Sequence, residues 1–183
     1  ALAAATASHL RGQYDHAEDL LHSVPRLASS RDGRLLAARI DWDRSYHALA
    51  LVELRALTAE YGTDPEIHAE LVNRLRESGL ADEARRTALA FQIAHPTLPA
   101  PRIELLFAFH EAGDTPRVAR EAAALLQDFS TDAPALLALA DFAANTGDFR
   151  LAERLVDHAR ARQLPWEPHA FLAVEARLVA RDY

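Results

Sequence analysis

Apolar side chains recur along this chain in short blocks of helical period, and the blocks themselves recur. Over 66–78, Ile67, Leu71, Val72 and Leu75 follow the i, i+4, i+5, i+8 spacing of a helix with one buried stripe. Gly79 then predicts a stop, as a left-handed residue after the last turn. A second helix is predicted over 82–94, with Ala84, Ala88, Leu89 and Phe91 as its packing face and His95-Pro96 as its end. The plan repeats. Ile103, Leu105, Leu106 and Phe109 lead to Gly113-Asp114, and Val118, Ala122, Leu125 and Leu126 lead to a polar break at 130–132. Leu136, Leu139, Ala140 and Ala143 then lead to Gly147-Asp148-Phe149, and Ala152, Leu155, Val156 and Ala159 lead to Gln163-Leu164-Pro165, after which Trp166 opens another helix.

Gly79, Gly113 and Gly147 are spaced by 34 residues each time, which makes the helix pair an internal repeat. Toward the start of the chain the register slips. Gly12-Gln13-Tyr14, with Ala17 three places on, has the turn chemistry of Gly147-Asp148-Phe149 with Ala152, but lies 67 residues before Gly79, one short of two periods. The irregular unit holds Leu35 to Ile40, an Asp41-Trp42-Asp43 turn, and a helix from Tyr46 to Ala59, with no Gly at the expected turn near Ser45. The approximate repeats are 1–29, 30–64, 65–98, 99–132 and 133–166, with the first helix of a further repeat over 167–183. One period beyond Gly147 falls on Arg181, and no initiator Met is present, so the expectation is a fragment of a longer solenoid.

The turn Gly, the aromatic after it, the small residue three places later and the Pro at the repeat end resemble the tetratricopeptide (TPR) repeat pattern. Tyr14 with Ala17, Phe149 with Ala152, Ala84 and Pro96 carry that resemblance. The family's Leu-Gly pair is replaced by Leu71-Val72, Leu105-Leu106 and Leu139-Ala140, so no Gly admits close helix approach there. The resemblance implies an all-α fold, a right-handed α-α superhelix of about five helix-turn-helix repeats, with a concave groove lined by the first helix of every pair. Carried by the 34-residue register, the implied groove positions form three rows. Ala69, Ile103, Leu137 and Phe171 make the first, with burial in the core as the alternative for its apolar members. Asn73, Phe107, Asp141 and Glu175 make the second. Arg76, His110, Ala144 and Leu178 make the third, flanked by Glu77, Glu111 and Asn145. Phe107 is the leading candidate, because Phe109 already supplies the buried stripe and a residue two places away lies on another face. Mixed apolar and carboxylate groups suit a protein or peptide partner with basic and apolar side chains. Some family members clamp a C-terminal carboxylate with Lys, Asn and Arg; here Asn73 and Arg76 are present and Lys is absent from the chain.

Composition sharpens this picture. Half of the 183 residues are apolar and only 6 are Gly, a balance favouring helix and sufficient for a continuous core. The formal charge of −7 opposes general attraction to nucleic acid or anionic lipid, and no apolar run approaches the roughly 20 residues of a membrane span. All 20 basic residues are Arg, a bias that points to a GC-rich bacterial genome; cytoplasm and periplasm both accommodate the chain. The absence of Cys excludes disulfides, thiolate ligands and Cys nucleophiles. The nine His residues include no helical His-Glu-x-x-His pair, so His9, His16, His110, His158 and His169 read as structural or surface groups, with no metal and no cofactor expected. Asp41 and Asp43 read as turn residues, and Glu18-Asp19 and Asp82-Glu83 as first-turn charges complementing helix amides. No phosphate loop or nucleophile elbow is present, so a non-catalytic scaffold or adaptor is expected. The alternative is the periplasmic segment of a bacterial exopolysaccharide exporter. There Trp42, Phe107, Trp166 and Phe171 would serve as sugar platforms beside Asp141 and Glu175.

Overall fold

The structure, a computed structural model, describes residues 1–162, and all regular structure among them is helical. In chain order the helices are α1 (Leu2–Leu10), α2 (Tyr14–His22), α3 (Pro25–Ala28), α4 (Arg31–Asp43), α5 (His47–Glu60), α6 (Pro65–Glu77) and α7 (Ala81–Ala94). They continue with α8 (Ala100–Glu111), α9 (Thr115–Asp128), α10 (Ala133–Thr146) and α11 (Phe149–Arg162). The expected helix from Trp166 onward lies outside the described residues. The chain divides into two compact units, Ala1–Thr87 and Ala88–Tyr183.

One hydrogen-bonded turn joins the helices of each pair. After α1, α6, α8 and α10, Gly12, Gly79, Gly113 and Gly147 take φ of 73°, 75°, 72° and 71°, as the spacing predicts. The next residue's amide then donates to the carbonyl five residues back: Gln13 to Ser8, Leu80 to Leu75, Asp114 to Phe109 and Asp148 to Ala143, at 2.8–2.9 Å. That six-to-one bond satisfies a carbonyl left open by the helix end. The irregular unit has the same turn without the Gly. Ser45 itself adopts φ 67°, and the Tyr46 amide donates to the Asp41 carbonyl at 2.8 Å.

Aspartates start many of these helices. Asp64 accepts from the Glu66 and Ile67 amides, Asp132 from Ala135, Asp114 from Arg117 and Asp148 from Leu151, at 3.0–3.2 Å. Each such cap is worth about 1 kcal/mol relative to Ala. In the first unit, Ser30 caps α4 by accepting from the Gly33 amide. Here α3, a four-residue helix, inserts before α4. Gly33 is required by space: a Cβ there would lie 1.9 Å from the Leu27 carbonyl oxygen.

Each unit has its own core. In the first, Ala5, Ala17, Leu21, Leu36 and Ile40 join α1, α2 and α4, and Leu54, Leu57, Ile67 and Leu75 are fully buried. In the second, Phe142 is fully enclosed among Leu106, Leu136, Leu139, Leu151 and Leu155.

Three sequence expectations are corrected. Leu89 is 46% exposed, because Ala84, Ala88 and Phe91 take the buried face of α7 and leave Leu89 turned outward. Glu18 and Asp19 lie in the second turn of α2, whose first-turn acid is Asp15. The Asp41-Trp42-Asp43 segment is the last turn of α4, with Trp42 8% exposed.

Candidate partner-binding faces

In the first unit the first helices of the pairs, α1, α4 and α6, are tied together by polar side chains. His9 Nε2 meets Asp43 Oδ2 at 2.7 Å, linking α1 to α4. Arg31 at the start of α4 donates twice to the Asp64 carboxylate, at 2.8 and 2.9 Å, and approaches Glu66 at 2.6 Å. Arg39, two turns on, bonds Glu66 at 3.2 Å and Glu70 at 2.7 Å; Arg74 continues the ladder to Glu70 and Glu77, both at 2.8 Å. The Asp64 bonds and further carboxylates hold the Arg31 guanidinium well above its ordinary pKa, against the opposing effect of burial. The same Arg31 bonds hold the Asp64 carboxyl below its ordinary range.

The sequence-predicted Asn73 and Arg76 are both half-buried on α6, and Arg76 Nη1 donates to Asn73 Oδ1 at 3.1 Å. Trp42 is closed to ligands. Its ring stacks on His47 at 4.3 Å, with the Arg74 guanidinium 4.9 Å from its centroid, which removes it as a sugar platform.

Beside the ladder lies a feature that the register did not reach, an open cleft of about 450 Å³ between α1, α4 and α6. Leu35 and Leu36 line it, with Leu2 and Leu10 on α1, and so do the polar side chains of His9, Arg31, Asp32, Arg39 and Glu66. The regular 34-residue register runs from Gly79 onward, and α1 and α4 precede it, across the one-residue slip. Ser45, one period before Gly79, was the signal that could have extended the rows to these helices.

In the second unit α8 and α10 are the neighbouring first helices. Phe107 is half-buried, with its ring edge-on to that of Phe142 at 4.8 Å; His110, exposed one turn later, also meets Phe142 edge-on at 6.2 Å. Asp141 is exposed and accepts from Asn145 Nδ2 at 3.1 Å. Ile103, offered as a groove position, is 5% exposed and belongs to the core, which was its alternative reading. Ala69, Leu137 and Ala144 are half-buried. Glu175, Phe171, Leu178, Trp166 and His169 lie outside the described residues. Other histidines have structural partners: His158 meets the Ser130 carbonyl at 2.7 Å and His95 lies against Phe91. Among the described residues no group of His, Asp or Glu is arranged to hold a metal, and no helix is long and apolar enough to cross a membrane.

Helix pairs closed by one turn and repeated every 34 residues define the class as a helix-pair repeat protein. Solved structures bear this out. TTC0263, a thermophilic TPR protein of Thermus thermophilus, matches with a TM-score of 0.63 at 16% identity over 97% of each chain. PilF of Pseudomonas aeruginosa gives 0.60 at 16% identity, over 99% of this chain and 84% of that one. MamA MSR-1 gives 0.51 at 14%, over 98% and 94%. The chain therefore has the fold of the TPR helical repeats. No family model and no curated protein matches it.

Proposed function

We propose that this protein is a non-catalytic scaffold that holds a protein or peptide segment against the faces of its first helices. The observation that carries the reading is the α8/α10 face. A helix pair needs only one apolar face for its core, and α9 and α11 follow that economy, turning Arg120, Gln127, Glu153 and Asp157 outward. On α8, by contrast, Phe107 stands at the edge of the core with part of its ring accessible, beside exposed His110 and near exposed Asp141 and Asn145. An aromatic anchor on a rigid helix, surrounded by polar groups that fix orientation, is the composition of a protein-binding surface. Asn73 and Arg76 on α6, and Glu175 by register, are the corresponding positions of the other repeats.

The reading is tested by capture from extract of the source organism. A partner held by the parent chain and lost by the Phe107→Ala, Asp141→Ala double variant, folded by circular dichroism, supports it. Undiminished capture by the variant contradicts it.

A further inference from the structure

We infer that the cleft between α1, α4 and α6 receives an apolar side chain of a partner segment whose neighbouring residues are cationic. This rests on the reading of the first-helix faces as partner-binding surfaces and names the chemistry one of them selects.

The apolar half of the argument is geometric. Leu35 and Leu36, 1% and 5% exposed, line the cleft as buried apolar surface, and Leu10, 79% exposed, lines it as an open one. A lone exposed Leu means little. One that lines a cleft of about 450 Å³ together with Leu2, Leu35 and Leu36 gives an entering aliphatic side chain apolar surface from both α1 and α4.

The electrostatic half comes from how the ion ladder is layered. Its guanidiniums lie deep: the Arg31, Arg39 and Arg74 side chains are 25%, 31% and 20% exposed. The carboxylates at its outer edge, Asp32, Glu66 and Glu77, are 54%, 50% and 52% exposed. Five carboxylates thus share three guanidiniums: Asp64 and Glu70, 24% and 12% exposed, lie as deep as the arginines, and the other three keep oxygens toward solvent. Asp32 and Glu66 line the cleft together with His9, Arg31 and Arg39, and both guanidiniums are already bonded to these carboxylates. A carboxylate has about four lone-pair sites, so each can accept from a further donor while keeping its Arg31 bond. An anionic segment entering here would meet guanidiniums already neutralised by carboxylates, whereas an Arg or Lys beside the buried apolar residue would meet acceptors in excess.

The test uses the full chain and three labelled twelve-residue peptides of Ala and Gln, carrying Arg-Leu-Arg, Arg-Ala-Arg or Glu-Leu-Glu at the centre, read by fluorescence anisotropy at low salt. The Arg-Leu-Arg peptide is expected to bind best. Its affinity should fall about tenfold in the Asp32→Asn, Glu66→Gln double variant, the combined effect of two partly exposed charge contacts. Leu10→Ser should weaken it about threefold through lost apolar contact, and Arg120→Ala, on the outward face of α9, should leave it unchanged. Three results each overturn the inference. Equal binding of Arg-Ala-Arg would reveal general attraction to an acidic chain. Preference for Glu-Leu-Glu would mark an anionic occupant. No binding of any peptide up to millimolar concentration would leave the cleft without a ligand of this class. Any of these, with Phe107-dependent capture intact, removes the cleft assignment and keeps the scaffold reading; loss of that dependence as well removes both.

Discussion

Ser45 stands where Gly79 stands one period later. Both are left-handed, at φ 67° and 75°, and after each the next amide closes the turn onto the carbonyl five residues back at 2.8 Å. An L-residue in that conformation costs about 1–2 kcal/mol, part of which Gly returns through the greater freedom of the unfolded chain. Ser45→Gly is therefore expected to raise stability by about 0.5 kcal/mol and Gly79→Ser to lower it by about 1 kcal/mol. Urea denaturation midpoints measure both. A Ser45→Gly chain no more stable than the parent would show that the serine is not strained.

Gly33 is a glycine for a different reason. A methyl group at Gly79 would enter open space, whereas one at Gly33 would meet the Leu27 carbonyl, a backbone atom that moves only with α3. Gly33→Ala is expected to cost about 2 kcal/mol, as overpacking against a fixed neighbour does. A loss under about 0.5 kcal/mol in the same denaturation experiment, the range of ordinary surface substitutions, would mean that α3 does not press on α4.

Asp64 joins two helices by a cap and an ion pair, and its contribution follows pH. Its carboxyl is held below the ordinary value chiefly by Arg31, so the stabilisation is fully present above about pH 4, the unfolded range. It is lost as pH falls through the lower folded value. Asp64→Asn should thus destabilise the chain at pH 7 by about 1 kcal/mol, since Asn retains some capping ability, and the difference should close in acid. Thermal unfolding from pH 7 down to pH 2 checks this; a gap constant across the range would contradict it.

How much of this was legible in the sequence depends on whether a position is set by local or tertiary physics. The turns at Gly79, Gly113 and Gly147 were readable because a left-handed residue after an apolar stripe is a local requirement. At Ser45 only the period marked the turn: the conformation is the same, but a serine gives no compositional sign of it. Leu89 misled because it falls beside the stripe of Ala84, Ala88 and Phe91, and one helical step of rotation separates core from solvent. Trp42 looked like a turn aromatic until His47 and Arg74, from α5 and α6, closed over it. The register put Asn73, Arg76, Phe107, His110 and Asp141 on first helices, where the structure has them. It gave no hint of the bridges from Arg31 and Arg39 to Asp64, Glu66 and Glu70, because those pairings join residues some 30 apart whose meeting depends on how α4 and α6 lie together.

The central claim, that a protein segment is held on the first-helix faces, is tested most directly by the affinity of a captured and purified partner for three folded chains. These are the parent, Phe107→Ala with Asp141→Ala on α8 and α10, and Arg120→Ala with Gln127→Ala on the second helix α9. Truncating an aromatic anchor typically costs about 2 kcal/mol, so the α8/α10 variant should bind about thirtyfold more weakly and the α9 variant as the parent does. Equal affinity for the parent and the α8/α10 variant, or a loss confined to the α9 variant, would contradict the account.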